Sequence, residues 1–110
     1  MTRRSLLKGL VAAIAASGLL PRGAASAAVE HAVEIKAFKF VPARLKVAPG
    51  DKIIWRNADV VPHTATASDE SWDAGSMEQG QNQTLVVSPG MQTQYFCRHH
   101  PSMVAELVIV

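Results

Sequence analysis

Beyond residue 28 the chain alternates apolar and polar side chains in short runs, and no stretch carries the three-to-four spacing of an amphipathic helix. Val33, Ile35 and Ala37 alternate with Glu34 and Lys36; Leu45 and Val47 flank Lys46; Ile53 and Trp55 flank Ile54. A period of two is that of a strand with one face covered and the other wet. Turn-forming residues separate the runs, at Val41-Pro42, Pro49-Gly50-Asp51 and Ser88-Pro89-Gly90. The same pattern predicts further strands at 63–67, 84–87, 92–96 and 104–110. Short strands at close spacing, about seven of them, predict an all-β fold, an antiparallel β-sandwich. Asp69 to Gln83 interrupts the pattern: it is polar, carries Gly75 and Gly80, and reads as a surface loop or a strand crossing between sheets.

The first residues follow a different pattern. Thr2-Arg3-Arg4-Ser5-Leu6-Leu7-Lys8 sets an arginine pair before an uncharged run from Gly9 to Leu20. That run has 12 residues, short of the ~20 needed to cross a bilayer. Small residues follow, and Ala25-Ser26-Ala27 fits a cleavage site. Basic, apolar, then small is the order of an export leader, and the paired arginines indicate the twin-arginine (Tat) route. The expected organisation is therefore a signal peptide over 1–27 and one domain over 28–110, located in the periplasm. An uncleaved N-terminal membrane anchor or a core helix is the competing reading.

Cleavage changes the charge. The whole chain has 11 Lys and Arg against 9 Asp and Glu, a net charge of +2. Arg3, Arg4, Lys8 and Arg22 leave with the leader, so the remaining domain carries a net charge of −2. It has no basic run or stripe, which excludes a nucleic-acid footprint. Cys97 is the single cysteine. An exported domain with one thiol has no internal disulfide, and the thiol needs protection from oxidation. A bound metal would protect the thiol and staple the fold together.

The chemistry is concentrated in Cys97-Arg98-His99-His100-Pro101-Ser102-Met103, with His63 upstream. Thioether sulfur is a poor zinc ligand. Two imidazoles, a thiolate and a thioether suit copper that alternates between Cu(I) and Cu(II). Pro101 disfavours a helix through the segment, so it is expected as a tight loop between two strands, with His63 reaching it from a neighbouring strand. His99 could also reach such a metal; the Cys-x-x-His spacing and the following proline favour His100. The expected metal ligands are His63, Cys97, His100 and Met103. His31 is expected to be solvated, and Trp55 and Trp72 to serve packing.

Cys97-x-x-His100-Pro101-x-Met103 with an upstream Pro62-His63 resembles the type I (blue) copper proteins of the cupredoxin family. The short loop is most similar to that of the amicyanins, with plastocyanins and pseudoazurins more distant. Trp55-Arg56-Asn57 and Trp72-Asp73-Ala74-Gly75 resemble further family segments. The resemblance implies a cupredoxin-like Greek key, one copper ion, and outer-sphere transfer of single electrons with His100 as the exit. It also implies that Asn57 ties the first-ligand loop to the cysteine loop. The implied partner is a transient redox protein, such as a c-type cytochrome or a periplasmic dehydrogenase, met by a monomer without stable membrane insertion. The chain departs from the amicyanin pattern at His99, where a proline is common, and at Arg98 and Ser102, where apolar residues are common. Pro62, Pro101 and Met77 are left to form the apolar docking patch. Two other functions compete. A periplasmic copper carrier or sequestering protein would need no redox partner, but exposed Met/His-rich tracts are lacking. A redox enzyme would need a second copper or a substrate pocket, and His31 and His99 are too few for one. The chain is therefore expected not to be an enzyme.

Overall fold

The computed structural model describes residues 27–110, so the expected leader lies outside the described residues except for Ala27. Nine strands run in order: β1 Glu30–Lys36, β2 Lys39–Val41, β3 Arg44–Val47, β4 Lys52–Asn57, β5 His63–Ala67, β6 Asp73–Met77, β7 Asn82–Val86, β8 Gln94–Cys97 and β9 His100–Ile109. They form two sheets, β2-β1-β4-β7 and β3-β9-β8-β5-β6. Side chains of both inner faces meet in one core built on Val33, Ile35, Ile53, Trp55, Met77, Tyr95, Cys97 and Leu107.

The alternation explains the sides. β1 buries Val33 and Ile35 and exposes Glu34 and Lys36; β9 buries Met103, Ala105 and Leu107. Each of the seven expected runs is a strand, and the structure adds two. β2 is three residues long and turns only Phe40 inward. β6 occupies part of the polar stretch from Asp69 to Gln83, pairing with β5 along an irregular register between Ala65 and Thr66. Gly75, at φ +106°, lies in that irregularity, where a Cβ would come within 3.0 Å of the Gln83 side chain. Most neighbours are antiparallel, but β1·β4 and β3·β9 are parallel. Parallel pairing requires crossovers between the sheets, which a strand-by-strand reading does not show.

The parallel pair β1·β4 brings the C-terminal ends of both strands, Lys36 and Asn57, to one end of the sandwich. At the other end Asp51 pins the start of β1. Its carboxylate accepts the Val29 amide at 3.1 Å and the Ala48 amide at 2.9 Å, and lies 2.8 Å from His31 Nε2. His31 is therefore not freely solvated; its side chain is only 19% exposed, because Asp51 holds it against the sheet. The hydrogen bond from His31, then those from Ala48 and Val29, lower the Asp51 pKa from 3.8 to about 2 against the opposing effect of burial. A depressed carboxylate stabilises the fold above its unfolded pKa and loses that contribution as pH falls through the folded value. Asp51→Asn should therefore lower the melting temperature at neutral pH. The gap from wild type should close as pH falls from about 4 towards about 2, as followed by circular dichroism.

Candidate metal centre

His63 opens β5 and Cys97 closes β8. The two strands are antiparallel, so these residues lie at the same end of the sheet. His100 opens β9 after the two-residue turn Arg98-His99. The segment is thus tighter than a loop, being a hairpin with one irregular step. Phe96 pairs with Val104, but the next residue, Cys97, pairs with His100. Between those pairs β8 advances one residue while β9 advances four. The extra backbone, Pro101-Ser102-Met103, must bulge, and Pro101 suits a bulge because it has no amide hydrogen to give to a ladder. The bulge lets Cys97, His100 and Met103 belong to one cluster.

Cys97 Sγ lies 3.6 Å from His63 Nδ1 and 3.7 Å from His100 Nδ1. The three donor atoms fall within 4.8 Å of one another. Metal–nitrogen and metal–sulfur bonds of about 2.0 and 2.3 Å, meeting at about 110–120°, place nitrogen and sulfur about 3.5–3.7 Å apart. The donor set therefore fits one shared ion. Met103 is 4% exposed and packs in the same buried cluster as Cys97. His63 and Cys97 are fully buried, whereas His100 is partly exposed.

Hydrogen bonds prepare the donors. His63 Nε2 lies 2.9 Å from Asp59 Oδ2. An ionised carboxylate only accepts, so this bond assigns the ring proton to Nε2 and leaves the Nδ1 lone pair facing the thiol. Burial raises the Asp59 pKa, but the bonds from the Phe38 and Ala37 amides and from His63 outweigh it, and the net shift is downward. The Thr64 amide donates to Cys97 Sγ at 3.4 Å, which fixes the place of the sulfur against β5.

A closed ring of bonds holds the hairpin. The Arg98 amide donates to Thr64 Oγ1 at 2.9 Å, Thr64 Oγ1 lies 3.0 Å from Thr66 Oγ1, and Thr66 Oγ1 donates to Asp73 Oδ1 at 3.1 Å. A hydroxyl has one hydrogen, so the Thr66 bond to Asp73 makes Thr64 the donor to Thr66. Asp73 Oδ2 then accepts Arg98 Nε at 3.1 Å, which closes the ring.

Thr64 therefore performs the task expected of Asn57. The Asn57 amide instead donates to Val61 and Met77 carbonyls, both at 2.9 Å, and its Oδ1 accepts the Asp59 amide at 2.9 Å. Asn57 orders the 58–62 loop and β6 and does not bond to the cysteine hairpin. Met77 is fully buried opposite His63, so it contributes nothing to an exposed docking patch. His99 is exposed, whereas His100 turns its Nδ1 to the thiol. Trp55 and Trp72 pack, donating to Tyr95 Oη at 3.3 Å and to the Gln92 carbonyl at 2.9 Å.

Besides Thr64 and Thr66, two residues that touch the imidazoles were not foreseen, Asp59 and Phe38. The Phe38 ring meets His63 and His100 edge-on, with centroids 5.2 and 4.7 Å away. An Asp four residues before a histidine was a readable signal for the first; an aromatic between Ala37 and Lys39 gave none for the second.

Thr64→Val removes one hydroxyl from the ring and strands the Arg98 amide. It should cost about 1–3 kcal/mol in chemical denaturation of the metal-free protein, while Thr64→Ser should retain most of that stability.

The comparisons agree with this geometry. The family described as copper binding proteins, plastocyanin/azurin family, matches residues 27–110. No curated protein matches the chain in sequence. Among solved structures, the reduced state of a proline-to-phenylalanine variant of amicyanin is similar at 26% identity with a TM-score of 0.66, over 83% of this chain and 92% of that one. A Cu(I) methionine-to-alanine variant of amicyanin gives 25% identity and a TM-score of 0.66, over 82% and 91%. A reduced tryptophan-to-tyrosine variant gives 25% and 0.67, over 78% and 88%. The chain belongs to the plastocyanin/azurin family of copper-binding proteins, and its cofactor is copper.

Proposed function

We propose that the chain is a periplasmic mononuclear type I copper protein that carries single electrons between redox partners by outer-sphere transfer. The carrying observation is the Cys97 thiol, fully buried, with an imidazole Nδ1 on each side at 3.6 and 3.7 Å. In this reading His63, Cys97 and His100 hold the metal, and Met103 is a weak fourth ligand. Bound copper supplies a one-electron Cu(I)/Cu(II) couple, in which soft sulfur donors favour Cu(I) and imidazoles serve both states.

The residues account for the rest. His63, Cys97 and His100 stand on strand ends, and the Thr64-Thr66-Asp73-Arg98 ring restrains the hairpin, so the donors move little when the charge between them changes. His100 is the most exposed of the three close donors, and its ring is the route by which an electron leaves or enters. Exposed His99 beside it belongs to the surface a transient redox partner would meet. The arginine pair and cleavage tract of residues 1–27 support export through the twin-arginine route, and burial of the lone thiol suits an oxidising compartment. An electron carrier, rather than an enzyme, needs no more than this site.

Adding Cu(II) to residues 28–110 should give an intense visible thiolate-to-copper band and a narrow copper hyperfine splitting in EPR. Cys97→Ser should abolish both. A colourless complex, or a preference for zinc, would overturn the assignment. Fast electron self-exchange is expected; ready surrender of Cu(I) to a chelator would instead identify a copper carrier.

A further inference from the structure

Asp59 lies in the loop after β4, four residues before His63, at the end of the sandwich where the donors converge. Its carboxylate has three partners. Oδ1 accepts the Ala37 amide at 2.8 Å, and Oδ2 accepts the Phe38 amide at 3.0 Å and His63 Nε2 at 2.9 Å. Its own backbone is fixed by buried Asn57. One carboxylate thus joins the β1–β2 turn, from one sheet, to a metal-site histidine on the other.

That turn needs support. Ala37 and Phe38 have φ of +53° and +60°, left-handed values that side-chain-bearing residues disfavour, and neither is glycine. Two successive left-handed residues make the tight turn that suits a hairpin. Here the turn sets the Phe38 ring edge-on to both imidazoles, at 86° and 85°. The ring is 49% exposed, so one edge faces the histidines while the remainder meets solvent.

We propose that Asp59 is a positioning residue that sets the reduction potential of the site, holding the His63 ring in register and seating the Phe38 cap over both imidazoles with the same carboxylate. This rests on the copper reading above. The direction follows from charge. The oxidised site carries one more positive charge than the reduced one, so a fixed anion beside it favours the oxidised state. A carboxylate that accepts the Nε2 proton also raises the donor strength of Nδ1. Asp59 therefore lowers the potential.

The test uses the full chain. Asp59→Asn keeps the shape and removes the charge, and its single side-chain oxygen can no longer serve all three donors. The expected result is about a tenfold loss in the preference for Cu(II) over Cu(I), an upward shift of ~59 mV for one electron. In the metal-free protein, amide exchange at Ala37 and Phe38 should quicken at least about tenfold, since local opening reports local stability. Asp59→Glu should recover part of both effects. If Asp59→Asn does not fold, wild type answers alone: the Cu(I) protein should show a slowly exchanging His63 Nε2 proton by NMR. An unchanged or lowered potential, unchanged amide exchange, or a rapidly exchanging His63 proton would each overturn the proposal. Loss of stability with no change in potential would mean that Asp59 is structural only. Wild type lacking the blue band would instead defeat the copper reading, so the two failures are distinguishable.

Discussion

The metal centre depends on one irregular step in a β-ladder. Where β8 ends, a regular hairpin would continue the pairing of Phe96 with Val104 and point successive side chains to opposite faces. Instead Cys97 pairs with His100, and β9 uses the three residues between to turn back. A thiol, an imidazole and a thioether from one seven-residue stretch are thereby gathered at a buried point. An unstrapped bulge at a strand end would be among the softest parts of a sheet. The Thr64-Thr66-Asp73-Arg98 ring supplies the strap, and it does so with side chains of the neighbouring strand β5 and of β6. Surface ion pairs contribute little singly; the Arg98–Asp73 pair matters because it closes a network that begins on the backbone beside Cys97.

The second sheet contributes from across the sandwich. Its parallel pair β1·β4 ends where β5 begins, so the turn after β1 and the loop after β4 meet above His63. Asp59 and Phe38 arrive there from those two connections. The centre is consequently closed by both layers, with three donors and Met103 on the five-stranded sheet and the cap on the four-stranded one.

How much of this was legible depends on chain distance. Alternation identified the longer strands because burial on one face repeats every second residue. It missed β2, which buries only Phe40, and β6, whose Asp73-Ala74-Gly75-Ser76-Met77 has few apolar residues to alternate. The donors in the 97–103 segment were legible because their spacing is local and their chemistry unusual. The supporting bonds were not. Asp59 to Ala37 spans 22 residues and Arg98 to Thr64 spans 34, and no local pattern encodes such pairings. Asn57 was given the role of Thr64 by the family resemblance, and nothing local marked Thr64 instead, because a threonine in a strand is ordinary by propensity. Met77 was placed on the surface for want of a strand there; once β6 pairs with β5, its register opposite His63 puts it inside.

The pairing of β3 with β9 carries a consequence for the order of assembly. Arg44 meets Glu106, 62 residues later, and β9 is the strand that separates β3 from β8. Loop closure over such a span is slow to be rewarded, so this topology belongs among those that fold late and cooperatively. During synthesis the five-stranded sheet cannot close until the last strand has emerged. Cys97 ends the strand made just before β9, so the thiol stays unsheltered until that last pairing forms, and its concealment comes only with the completion of the whole domain.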